Sequence, residues 1–207
     1  MIKAIIFDFD DTLVSYKDIY LHSHKEAAKK LNIKVPSDIE LLKYAGLPWK
    51  TMVSKIWPDI KFEDFYSAYV EVDDIIDRTP VKGAKEVILQ LSKKYDLFII
   101  SSREKDSILE LMEKSSLPIE NFKAIYGDDS LPYHKPDPRI FDPILKEYKP
   151  EECIFIGDSD YDLIPAQKAK ITFIAYLSGV CPKDVFEEMN ADFIIDDLRD
   201  IPKLLKN

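Results

Sequence analysis

Three aspartates, Asp8, Asp10 and Asp11, fall within four positions where the apolar run in IIFDFDDTLV (residues 5–14) gives way to polar residues. Like charges this close repel, and each resists leaving water unless a cation or a proton compensates. Either the cluster caps a turn, or it holds a metal and does chemistry. Three more polar features end apolar runs or follow them. They are Ser101-Ser102 after LFII, Lys135-Pro136 after the loop 127–134, and GDSDYD at Gly157–Asp162 after CIFI.

The chemistry such a set could support is specific. A carboxylate can attack phosphorus and form an aspartyl-phosphate, which water later hydrolyses. A second carboxylate two residues on can protonate the leaving alcohol and then activate that water. A hard divalent cation held by carboxylate and carbonyl oxygens suits Mg²⁺, and it would offset charge on the nucleophile and the phosphoryl oxygens. A lysine and a hydroxyl stabilise the charge spread over the transferring group. Each feature also has a plainer reading. Asp8 and Asp10 could be loop and cap residues, Ser101 could merely terminate a strand, Ser102 or Arg103 could begin the next helix, and Lys-Pro means almost nothing alone. In one order, each at a strand end, they point to phosphoryl transfer.

Elements that would bring them together are readable from hydrophobic patterning. Buried-strand candidates are Lys3–Phe9, Leu97–Ser101, Cys153–Gly157, Thr172–Tyr176 and Phe193–Ile195, with Lys123–Tyr126 a weaker one. Helical patterns alternate with them at 83–94, 105–114, 138–147, 161–169, 182–188 and 198–205. Near-continuous apolar strands alternating with helices predict an α/β fold, a doubly wound (Rossmann-like) parallel sheet covered on both faces. Its strand C-termini would share one edge, where the four features converge. Residues 15–79 break the rhythm with four amphipathic helical patterns (19–31, 37–44, 50–56 and 62–76) and no clear strand. They read as an inserted helical subdomain, leaving 1–14 and 80–207 as the core domain. Boundary signals inside the insertion are Pro36–Ser37–Asp38, Gly46–Leu47–Pro48 and Pro58–Asp59.

This order of motifs, DFDDT at Asp8–Thr12, Ser101 after a hydrophobic strand, Lys135-Pro136 and GDSDYD, resembles the phosphatase branch of the haloacid dehalogenase-like superfamily. The resemblance covers essentially the whole chain, and the inserted helices look like that superfamily's cap domain, closing over a small substrate. It implies that Asp8 is the nucleophile and Asp10 the acid/base. Ser101 and Ser102 would bind the phosphoryl group, and Lys135 would pair with it and with Asp8. Asp158 would ligate Mg²⁺ together with the Asp8 side chain and the Asp10 backbone carbonyl, and Asp162 would support these groups. Lys50, after the turn Gly46-Leu-Pro-Trp, is a candidate cap contact to substrate. Asp11 stands where many members have glycine, which leaves the motif readable, and is read as shaping the turn. The implied function is a Mg²⁺-dependent phosphatase acting on a small phosphorylated metabolite of the phosphoglycolate or sugar phosphate class. Alternatives are a phosphomutase, a phosphonate-cleaving enzyme using Lys43 or Lys50 as a Schiff base, or a non-enzymatic phosphate-responsive binding module.

Composition narrows the partners. The net charge of −9 argues against nucleic-acid binding, which needs a basic face. It also means that attraction for a phosphorylated substrate must be local. No apolar segment approaches the roughly 18 residues that span a membrane, and the N-terminus lacks a signal-peptide layout, so a cytoplasmic protein is expected. Cys153 and Cys181 make neither a disulfide framework nor a zinc site. Other acids read as structural: Asp160 as a helix cap, Asp196-Asp197 as a cap of the last helix, and Asp73, Asp74 and Asp77 as a solvated helix face. Asp128 and Asp129 lie in a loop near the pocket mouth, and His134 adjoins Lys135. His22 and His24 are two apart and make a poor metal pair, and Trp49, Trp57 and the aromatic stripe after Lys61 read as helix packing. Nothing in the sequence sets the oligomeric state.

Overall fold

In the computed structural model, residues 1–44, 47, 49–73, 79–178 and 180–205 are described. The turn Gly46-Leu47-Pro48 and the acids Asp74 and Asp77 therefore fall wholly or partly outside the described residues. The chain begins with β1 (Ala4–Phe7), followed by α1 (Lys17–Lys30), α2 (Asp38–Leu42), α3 (Trp49–Ile56) and α4 (Phe62–Asp73). Then come α5 (Ala84–Leu91), β2 (Asp96–Ile100), α6 (Lys105–Lys114), β3 (Phe122–Tyr126), α7 (Asp142–Leu145) and β4 (Cys153–Gly157). The last elements are α8 (Asp160–Ala169), β5 (Thr172–Tyr176), α9 (Lys183–Glu188), β6 (Phe193–Ile195) and α10 (Ile201–Leu204).

β1 is AIIF, and all four residues are fully buried, as a strand covered on both faces requires. Because side chains alternate across a sheet, the strand splits the core by parity. Ile5 and Phe7 pack with Leu97, Ile99, Ile154 and Ile156 under α5, α6 and α10. Ala4 and Ile6 pack with Phe98, Phe155 and Phe173 under α7, α8 and α9. The six strands are all parallel, in the order β3-β2-β1-β4-β5-β6. The chain thus winds outward from β1 in one direction, then returns to β4 on β1's other side and winds the other way. The crevice outside the C-terminal ends of β1 and β4 is the topological switch point, where open α/β sheets bind ligands.

Two predicted helices are divided. The segment 138–147 is a 3₁₀ turn (Pro138–Phe141) followed by α7, and 198–205 is a 3₁₀ turn (Leu198–Asp200) followed by α10. In both, a proline (Pro143, Pro202) sits in the first turn of the α-helix, where its missing N–H breaks the ladder from the preceding turn. No helix of the described residues is long and apolar enough to cross a membrane.

Two compact units divide the chain, Met1–Ser15 with Arg78–Asn207, and Tyr16–Asp77. The second is a helical unit with its own core of Tyr20, Ala27, Leu41, Met52, Val53, Trp57, Phe65 and Tyr69. At its centre lies His24, fully buried, with ring contacts to Tyr20, Trp49, Phe65 and Tyr69. The Nδ1–H donates to the Tyr20 carbonyl at 2.7 Å, and Nε2 accepts from Trp49 Nε1–H at 3.1 Å. Both nitrogens are satisfied only in the neutral imidazole, since a proton on Nε2 would face the indole N–H.

Burial pulls the His24 pKa down to about 4, against a weaker upward pull from the Tyr20 carbonyl. The unfolded chain then binds the extra proton more readily, so stability falls as pH drops from about 6.5 toward 4. We expect the helical unit to lose up to about 3 kcal/mol across that window. Trp49 and Trp57, the chain's two tryptophans, both lie in this unit. Tryptophan-fluorescence unfolding between pH 7 and 4.5 isolates the effect, and a His24→Phe chain should show a flatter profile. An equal slope in both chains would refute it.

Candidate active site

The backbone N–H of Asp8 donates to the Ile156 carbonyl at 2.8 Å, so the last rung between β1 and β4 sits directly under the acids that follow both strands. Asp8, Asp158 and Asp162 are 7%, 5% and 1% exposed. Lys135 enters from the loop after β3 and is buried between two of them. Its Nζ donates to Asp8 Oδ1 at 2.5 Å and to Asp162 Oδ1 at 2.6 Å. Asp162 is further engaged through Oδ2, which accepts from the hydroxyl of Ser159 at 2.6 Å and from its N–H at 3.2 Å.

That last contact begins α8. Ser159 is extended (φ −135°, ψ 163°) and is the N-cap, while Asp160 is already the first helical residue. The sequence reading of Asp160 as the cap is therefore corrected by one position. Asp162, three residues beyond the cap, reaches back in the manner of a capping box, so the helix start also fixes the partner of Lys135. Gly157 makes room for it. A Cβ there would lie 2.6 Å from both Cβ and Cγ of Asp162, closer than side chains pack.

Each charge has a legible cause. Burial raises the Asp8 pKa to about 7, with Lys135 opposing and Asp162 and Asp10 adding to the rise. Burial likewise pushes Asp158 well up, reinforced by Asp8, Asp162 and Asp11, while the Ser178 hydroxyl, donating to Asp158 Oδ2 at 2.8 Å, pulls it back. Burial alone would pull Lys135 down, but Asp162 and Asp8 together hold it above the ordinary lysine value. Lys135 is therefore an ammonium, and it is outnumbered by the carboxylates around it.

The donor set fits a hard divalent cation. Asp8, Asp158 and Asp162 each bring a carboxylate oxygen within 4.8 Å of the others. Both oxygens of Asp162 are engaged by Lys135 and Ser159. Among the described residues, no hydrogen bond engages Asp8 Oδ2 or Asp158 Oδ1, so these are the oxygens available to a cation. All-oxygen donors with excess negative charge match Mg²⁺.

Ser101 follows β2 and is buried, and Ser102 is exposed. Both line a recess of about 10 Å³ with Gly127, Asp128, His134 and Lys135. His134 pairs with Asp128 at 2.6 Å on its rim. Asp11 takes a left-handed conformation (φ 57°) and closes its turn by donating from N–H to the Val14 carbonyl at 2.7 Å. Thr12 is fully buried. Lys50 lies in the helical unit. Its side chain is 73% exposed, 4.0 Å from Glu63, with Nζ 5.3 Å from the centre of the Phe62 ring.

Three side chains at the site were not singled out from sequence. Ser178 and Ser159 orient Asp158 and Asp162, and Arg103 grips Asp10 with Nη2–Oδ1 at 2.9 Å and Nε–Oδ2 at 3.0 Å. Arg103 read as the start of a helix, yet it lies two residues beyond a strand end on the acidic edge. That position was the available signal.

Comparison with known proteins gives a consistent result. The family described as haloacid dehalogenase-like hydrolase matches residues 5–176. A Bacillus cereus (strain G9842) protein named pyrophosphatase PpaX is 24% identical over 217 residues, covering 100% of this chain and 97% of that one. A haloacid dehalogenase-like hydrolase from Streptococcus pneumoniae superposes with a TM-score of 0.85 at 20% identity, covering 99% and 98% of the two chains. A structure described as a predicted phosphoglycolate phosphatase from Haemophilus somnus 129pt gives 0.84 at 20% identity, covering 99% and 98%.

Two outcomes are expected. Gly157→Ala should cost about 1–3 kcal/mol by forcing Asp162 off its contacts, and an unchanged Tm would refute the tight fit. The second concerns pH. The raised Asp8 pKa means that the proton's contribution to stability is present below about 4 and lost as pH rises through about 7. A divalent cation held by these carboxylates would take that proton's place, so Mg²⁺ should raise the calorimetric Tm more at pH 8 than at pH 5.5. Equal shifts at the two pH values would count against the site.

Proposed function

The chain belongs to the haloacid dehalogenase-like hydrolases, and on that premise we propose that it is a Mg²⁺-dependent phosphatase acting on a small phosphorylated metabolite through an aspartyl-phosphate. The observation that carries the reading is the buried ammonium of Lys135 bonded to Asp8 and Asp162, with Asp158 alongside, at the sheet's switch point.

Lys135, donating to Asp8 Oδ1, holds the Asp8 carboxylate in place for attack on phosphorus. The P–O bond to the leaving group breaks as the Asp8–P bond forms, and Asp10 delivers a proton to the departing oxygen. Asp10 then takes a proton from the water that attacks the aspartyl-phosphate, releasing orthophosphate and restoring Asp8. Lys135 and Ser101 balance charge on the phosphoryl oxygens. Mg²⁺, held by Asp8, Asp158 and the Asp10 carbonyl, would supply the positive charge that lets a carboxylate approach a phosphate dianion.

For substrate, phosphoglycolate and sugar phosphates are the first candidates. A phosphoanhydride is the second, favoured by the name pyrophosphatase carried by relatives aligned along the whole chain. The phosphonate-cleaving alternative gains no support, because Lys43 and Lys50 are both exposed and a Schiff-base lysine needs a desolvated amine.

The test is phosphate release from pyrophosphate, phosphoglycolate and hexose phosphates, with Mg²⁺ and with chelator. Asp8→Asn should lower turnover by at least about 1,000-fold while the fold persists, since the amide is a near-isostere that cannot attack phosphorus. Near-normal turnover in that variant would end the nucleophile assignment, and isomerised rather than hydrolysed sugar phosphate would establish the mutase.

A further inference from the structure

We propose that Arg103 is the positioning residue for Asp10, holding in place the carboxylate that gives and takes the catalytic proton. The inference rests on the acid/base reading of Asp10 given above.

Asp10 lies beyond the end of β1, where its backbone forms a single isolated bridge with Val14. Arg103 holds its carboxylate with a fork. Nη2 donates to Oδ1 at 2.9 Å, and Nε donates to Oδ1 at 3.2 Å and to Oδ2 at 3.0 Å. The pair is mostly shielded, with side chains 17% and 26% exposed. A planar guanidinium facing a carboxylate sets both the distance and the plane of the acid, which a lysine ammonium cannot do.

The arginine is itself fixed at both ends. Its N–H donates to Ser101 Oγ at 3.1 Å, and its carbonyl accepts from Asp128 N–H at 2.9 Å. Gly127 packs so closely there that a Cβ would lie 2.6 Å from the Arg103 carbonyl oxygen and 2.3 Å from Lys105 N. At the far end Nη1 donates to Ser107 Oγ at 3.1 Å, on the first turn of α6. A side chain anchored along its whole length is built to hold something still. Oδ1 carries two of the contacts and Oδ2 one, so Oδ2 has the open lone pair that would handle the proton. Arg103 also ties Asp10 to Ser101, so the acid and the phosphoryl-binding hydroxyl share one support.

The test is a double-mutant cycle in the full chain with Mg²⁺, using p-nitrophenyl phosphate, whose leaving group needs little protonation, and a simple alkyl phosphate, which needs much. Arg103→Met should lower kcat on the alkyl phosphate about 10- to 100-fold with KM within about threefold, the scale of a misplaced reactive group. The loss on p-nitrophenyl phosphate should be smaller, and Arg103→Lys should restore activity only in part. In an Asp10→Asn background, removing Arg103 should cost nothing further. The same loss in both backgrounds, or one falling on KM, would overturn the positioning role while leaving Asp10 as acid/base. If Asp10→Asn leaves both esters unaffected, the acid/base reading fails and the proposal falls with it. A thermal melt of each variant separates these outcomes from unfolding.

Discussion

One ammonium buried among carboxylates is the interaction on which the architecture of the site depends. Lys135, Asp8, Asp158 and Asp162 are all shielded from water, and the acids outnumber the base. Buried charges are tolerated only when paired and hydrogen-bonded. The surrounding structure supplies what pairing it can. Ser159 takes the second oxygen of Asp162, Ser178 takes one of Asp158, and the residual negative charge is left to a cation or to protons. The fold tolerates this because the four groups follow three strands of one sheet, Asp8 after β1, Lys135 in the loop after β3, and Asp158 and Asp162 after β4, so that a large aliphatic core carries a costly cluster at one edge.

The local devices serve two ends at once. The start of α8 needs a cap and Lys135 needs a partner, and Asp162 satisfies both, because the capping-box position three residues past Ser159 lies directly beside the strand. Gly157 is the condition for that, since any side chain there would displace Asp162. The segment from Arg103 to Lys105 is held the same way against the loop after β3, with Asp129 Oδ1 accepting from Lys105 N–H at 2.9 Å as α6 begins.

What sequence could and could not reveal follows from how local each cause is. The strands were legible because runs such as AIIF and CIFIG are apolar on both parities, which only a doubly covered sheet requires. Asp8, Ser101 and Asp158 were legible because each ends such a run. Lys135 was not, on local grounds. Lys-Pro carries no local signal, its contact with Asp8 spans 127 positions, and only the order of motifs singled it out. Arg103 has the same difficulty without a motif to help. Its partner is 93 positions away, and nothing within SSRE separates an inward arginine from a solvated one. The misplaced cap had a local cause, because Ser159 and Asp160 are both good N-caps and only backbone dihedrals decide between them. His24 was set aside as a metal ligand on spacing, but its neutral state in an aromatic core depended on Trp49, which comes from another helix.

The distribution of charge constrains how any anion can enter. The chain carries −9 overall, and two cations at the acidic edge already have carboxylate partners: Lys135 with Asp8 and Asp162, and Arg103 with Asp10. A phosphate dianion arriving ahead of any cation would meet a field that opposes it and would have to compete for positive charge already in use. A divalent cation held by Asp8 and Asp158 would change that balance by more than any single lysine could. On the proposed reading, cation and substrate therefore bind as coupled events rather than independent ones. Each supplies the charge that makes the other's position tolerable, and by linkage the coupling is equal in both directions.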